Sequence, residues 1–71
     1  MNTQKTYAVS YLYNSGAIEC DPEYIYQDCD EKARASAQFR AYQRNATIFG
    51  LHERTGIATN GRPLVRPVDF D

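Results

Sequence analysis

The stretch from Lys32 to Arg44 contains neither glycine nor proline and is rich in alanine and other strong helix formers. An amphipathic helix there must bury one stripe against another layer, so the flanking segments have to supply that layer. Asp28 fits an N-cap, and Glu31 three residues later completes an Asp-x-x-Glu variant of the capping box. Acids crowd the first turn and arginines the last, which complements the helix dipole. Ala35, Phe39, Tyr42 and Ala46 recur at spacings of four, three and four and form one stripe. This stripe is expected to be the core face. The opposite side gathers Ala33, Ala37, Arg40 and Arg44, flanked by Arg34, and is expected to face outward.

The flanks read as strands. Residues 6–13 are rich in β-formers, with Tyr7, Val9, Tyr11 and Tyr13 on one face and Ala8, Ser10 and Leu12 on the other. Pattern alone leaves both faces open as the core. Asn14-Ser15-Gly16 signals a hairpin leading into residues 17–20. Asp21-Pro22 interrupts the pattern, because proline lacks a ladder donor, and residues 23–27 resume an extended path. Residues 47–54 read as a further strand in which Gly50 marks a bulge or a close approach. Thr55-Gly56 and Asn60-Gly61 read as turns, with residues 57–59 as a short edge strand between them. Residues 60–71 read as an extended tail around Pro63 and Pro67 that partly docks through Val65, Val68 and Phe70. The reading is one α+β domain over residues 1–71, an amphipathic helix packed on a three- to four-stranded antiparallel sheet.

A chain of 71 residues buries only roughly 60% of the surface its unfolded form exposes. That leaves little room for a deep ligand cleft and favours a protein that works through its surface. Dimerisation is one way for such a chain to bury more apolar area. Its 42% apolar content is that of a folded chain. A net charge of −1 argues against a generic polyanion binder and against a strong mimic of DNA. The charge is distributed unevenly. Residues 19–31 hold acids only, whereas residues 32–66 hold Lys32 and six arginines against the single acid Glu53. No apolar run is long enough to span a bilayer, and no apolar segment follows Met1, so a cytoplasmic setting with reduced Cys20 and Cys29 is expected.

Catalytic chemistry is hard to assemble from this chain. His52 is the lone histidine, and Glu53 beside it in a strand points to the opposite face. Two cysteines and one histidine are too few for a structural zinc site, and no glycine-rich phosphate loop occurs. The expectation is a non-enzyme without metal or cofactor. The arginines are the sharpest feature. Arg40 and Arg44 are one helical turn apart between small alanines, and Arg62 and Arg66 lie on the extended segment. Arg34, Arg40, Arg44, Arg62 and Arg66, with Tyr11 and Tyr13 of the first strand, are the expected partner-binding residues.

Residues Tyr7–Tyr13, the helix segment Asp30-Glu31-Lys32-Ala33-Arg34-Ala35-Ser36-Ala37 and Thr47–Gly56 together resemble, in organisation, small phage-encoded inhibitors of bacterial immunity. Among these is a type I-F anti-CRISPR family. The resemblance covers roughly half the chain and implies a cytoplasmic protein that binds and blocks a larger host complex. The leading expectation is thus a protein-binding accessory or inhibitor protein of phage or mobile-element type. Two alternatives stand beside it. One is a small nucleic-acid-binding protein using the arginine ridge and strand tyrosines; the other is a self-associating structural protein that forms a homodimer.

Overall fold

The computed structural model describes residues 4–69. Strand β1 (Lys5–Leu12) leads into β2 (Ile18–Cys20) and β3 (Ile25–Gln27), followed by helix α1 (Asp30–Gln43), β4 (Thr47–Ile57) and β5 (Pro63–Pro67). The helix packs on one antiparallel sheet of five strands, one more than the largest number expected. β1 lies at the centre. β4 covers one of its edges, followed by β5. β2 and β3 share the other edge, β2 pairing with the end of β1 and β3 with its start. The break between them falls at the Asp21-Pro22 interruption.

Two connections differ from the sequence pattern. β4 continues through Thr55-Gly56, and its pairing with β5 shifts register between Arg54 and Gly56, so that signal marks a bulge rather than a turn. The reversal comes later, where Ala58 N–H bonds to Arg62 O and Gly61 N–H to Ala58 O. Residues 57–59 therefore form no separate strand. The segment expected as a tail supplies the fifth strand through Pro63–Pro67, and Val68 is buried. Phe70 lies outside the described residues. In β4 the register with β1 slips between Ser10 and Tyr11, leaving Phe49 without a partner next to Gly50.

The core settles which face of β1 is inside. Tyr7, Val9 and Tyr11 are buried together with Ile25, Leu51 and Val68. The helix contributes only Ala33, Ala37 and Ala41. The helix is thus turned half-way round from the expected orientation. Phe39 is 60% exposed and Tyr42 81% exposed, and Ala35 is exposed beside them. The physical reason is volume. Two tyrosine rings and four aliphatic side chains of the sheet already fill the space under the helix, and alanines let its backbone come close enough to cover them.

The helix ends also differ in origin. Cys29, in an extended conformation, occupies the N-cap position and makes no side-chain cap, which corrects the assignment of Asp28. Asp28 instead pairs with Lys32 one turn on at 3.3 Å. At the other end Asn45 adopts a left-handed φ of 53°. Its N–H bonds to Tyr42 O and that of Ala46 to Ala41 O, a Schellman closure. This tight exit delivers the chain directly into β4.

Candidate functional site

Both arginines of the ridge reach one carboxylate, Arg40 half-buried and Arg44 still exposed. Asp21, buried at the break between β2 and β3, accepts a hydrogen bond from the Tyr11 hydroxyl and another from Arg40 at 3.2 Å. Arg44 approaches the same oxygen at 3.5 Å, and its guanidinium lies 4.8 Å from the centroid of the Tyr11 ring. Arg40 also donates to the carbonyls of Glu23 and Tyr24 at 3.0 and 3.3 Å, satisfying backbone groups that the broken edge leaves without ladder partners. Burial alone would push the Asp21 carboxyl up. The hydrogen bonds from Tyr11, the Glu23 amide and Arg40 more than offset this and hold it below its usual range. Burial, then the bond to Asp21, pushes the Tyr11 hydroxyl up to about 12. Tyr11 is a core residue, out of reach of any partner, and Arg40 and Arg44 clamp a structural carboxylate. The two arginines are therefore not the free ridge expected, although Arg44 remains exposed.

Arg66 forms a second cluster. It pairs with Asp30 at the helix start at 2.8 Å and with Glu53 of β4 at 2.7 Å. The Tyr7 hydroxyl donates to the same Asp30 at 2.7 Å. The Arg66 and Tyr7 hydrogen bonds hold the Asp30 carboxyl below its usual range. Arg66 thereby ties β5 to the helix and is engaged within the fold. Arg34 donates to Asp69 O at 3.2 Å and Tyr13 to Glu19 at 3.1 Å, both at the surface. Arg62 is exposed, and among the described residues its side chain makes no hydrogen bond or ion pair. The seven residues expected to bind a partner are therefore not one surface. They divide between two intramolecular clamps and scattered surface positions.

The surface that is continuous is aromatic. Phe39 and Tyr42 are neighbours on the outer side of α1, three positions apart. Tyr42 also lines a groove with Phe49, floored by Ala41, Ile48 and Leu51 and closed at one end by Val68. The groove has a volume of about 560 Å³. On the other flank Phe39 borders a smaller depression with Tyr24 and Tyr26 of the β3 edge. Those two rings meet edge-on with centroids 6.5 Å apart, and Arg54 lies 5.1 Å from the Tyr24 centroid and bonds to its hydroxyl. An aromatic belt thus crosses the helix from β3 to β4.

The belt side chains that cross the helix are themselves uncharged. Between Ala35 and Gly50 the only charged residues are Arg40 and Arg44, both bound to Asp21. The chain gives no match to protein-family models, curated proteins or solved structures.

Three features made the belt hard to see in sequence. The stripe of Phe39 and Tyr42 has the spacing of a core face, Phe49 alternates like an inward strand residue, and Tyr24 and Tyr26 lie in the segment dominated by acids. The readable signal was the second stripe, Ala33, Ala37 and Ala41, together with an arginine pair placed to meet the acid of the strand break. Among the described residues no three His, Cys, Asp or Glu side chains gather as a metal would require. His52 faces Ala8 across the sheet, away from the helix layer, while Glu53 faces Tyr7. No helix among the described residues is long and apolar enough to cross a membrane.

Proposed function

We propose that this chain is a non-enzymatic protein-binding domain, an accessory or inhibitor protein of phage or mobile-element type that occupies a surface of a larger host complex in the cytoplasm. The observation that carries this reading is the uncharged aromatic belt of Phe39, Tyr42 and Phe49. Exposed aromatic side chains flanking a groove are the usual anchors of protein interfaces, where they fill pockets of the partner and exclude water. A helix face with anchors at successive turns fits a groove-type contact. The organisational resemblance to inhibitors of bacterial immunity supplies the class of host target.

The alternative, nucleic-acid binding through the arginine ridge, has less support, because Arg40 and Arg44 share Asp21 as an intramolecular partner. The test is affinity capture from host lysate with wild-type bait and with Tyr42→Lys and Arg62→Ala baits. The expected result is a stoichiometric partner retained by wild type and by Arg62→Ala and lost with Tyr42→Lys. Recovery of no stoichiometric partner overturns the reading. A complex with RNA or DNA in a low-salt gel shift that weakens steeply with added salt moves the assignment to the nucleic-acid alternative.

A further inference from the structure

We infer that the belt of Phe39, Tyr42 and Phe49 is the self-association surface of this protein, and that a second copy of the chain docks there about a two-fold axis. The inference rests on the reading of the belt as a protein-binding face and adds that in the free protein a second copy occupies it, which a host partner displaces. Three observations support a second copy.

The first is area. Phe39, Tyr42 and Phe49 are 60%, 81% and 59% exposed. At roughly 200 Å² per aromatic side chain they present on the order of 400 Å² of apolar surface. That is about half of the roughly 800 Å² that each partner of a standard interface contributes. The exposed amides Gln38 and Gln43 on the same side of the helix extend the patch with a polar rim. A domain of this size also gains most from such burial, because its own core is small.

The second is charge. In a two-fold interface each residue meets itself or a near neighbour, so a charged patch opposes itself. The belt residues Phe39, Tyr42 and Phe49 and the flanking Gln38 and Gln43 carry no charge; the two arginines of the stretch both reach Asp21, whose one carboxylate balances one of their two positive charges. The face also bears both a projection and a receptacle, the Tyr42 ring beside a groove of about 560 Å³, as a self-complementary contact requires. An antiparallel pair of helices crossing near Phe39 and Tyr42 sets each copy's aromatic rings towards the other's groove.

The third is the state of the sheet edges, the other common route to self-association. At one edge, Val68 donates its N–H to Leu51 O. By the alternation of strand geometry Leu64 and Arg66 also direct their N–H groups to β4. Pro63, Val65 and Pro67 then face outward, and the two prolines have no N–H to offer. At the opposite edge β2 and β3 are three residues each and are broken at Asp21-Pro22. Neither edge offers a ladder to a second copy, which leaves a face.

The experiment is sedimentation equilibrium of wild type from low micromolar to near-millimolar concentration, in parallel with Phe39→Lys, Tyr42→Lys and, on the opposite sheet face, Ile18→Lys. Unchanged circular dichroism and melting would show that the variants remain folded. The expected result is a weight-average mass rising to twice that of the monomer for wild type and Ile18→Lys, with dissociation constants raised about tenfold or more in Phe39→Lys and Tyr42→Lys. Added salt is expected to leave the wild-type constant nearly unchanged. A monomer throughout overturns the proposal, as does a dimer indifferent to both belt substitutions. The host-partner reading fails separately, through lysate capture without a stoichiometric partner, whatever the mass in solution.

Discussion

The two long sides of the helix carry opposite kinds of apolar residue. The inner side closes on the sheet with Ala33, Ala37 and Ala41, each at most 3% exposed. The outer side holds the larger rings of Phe39 and Tyr42 and leaves them in water. A hydrophobic surface is normally assigned to the core in proportion to its area. Here the sheet brings the volume, through Tyr7 and Tyr11, and the helix brings proximity. Size alone therefore misidentifies the buried face, and the large side chains left outside become the material of an interface.

The largest effect is expected from filling the inner side. Ala37→Glu would place a carboxylate against the Tyr7 and Tyr11 layer and is expected to cost about 4 kcal/mol, measured by urea unfolding. Asp21→Ala comes next at about 3 kcal/mol, because it leaves the Tyr11 hydroxyl and two arginines without their common acceptor. Arg44→Ala is expected to cost less than Arg40→Ala, since only Arg40 also satisfies the Glu23 and Tyr24 carbonyls.

The clamps also predict how stability follows pH. The folded-state pKa values of Asp21 and Asp30 are depressed, so the unfolded chain binds more protons near the ordinary carboxylate value of about 3.9. Their contribution is present above that pH and lost as pH falls through the depressed values. Tyr11 has the opposite sign. Its folded value is raised to about 12 while the unfolded hydroxyl ionises near 10, so its contribution holds below pH 10 and is lost between about 10 and 12. Tyr7 shifts in the same direction through burial and its bond to Asp30. Thermal melts from pH 2 to 12 are expected to show a plateau falling at both ends, and Asp21→Asn is expected to flatten part of the acid limb. Smaller still is the effect of Arg62→Ala, expected within about 0.5 kcal/mol of wild type because the Arg62 side chain is exposed.

Much of the architecture was legible because local signals agreed with tertiary demand. The helix, the strand over Lys5–Leu12, the interruption at Asp21-Pro22 and the bulge beside Gly50 follow from composition and turn chemistry. The continuation of β4 through Thr55-Gly56 was not legible, since a glycine that supports a turn equally supports a bulge. Nor was the strand between Pro63 and Pro67, because prolines that suggest a loose tail also suit an edge strand facing away from its neighbour. The site was the least legible part. Arg40 and Arg44 have the spacing of an exposed ridge, and only the position of Asp21 in space shows that they share an intramolecular partner.

The most direct test is the urea unfolding of the double variant Phe39→Ala, Tyr42→Ala, at a concentration low enough to keep the protein monomeric. If the outer aromatics serve a partner and the inner alanines hold the fold, the double variant stays within about 1 kcal/mol of wild type, as surface substitutions do. A loss of about 3 to 5 kcal/mol per ring, the cost of truncating a core aromatic, would show that the helix packs through its aromatic stripe and would contradict the account.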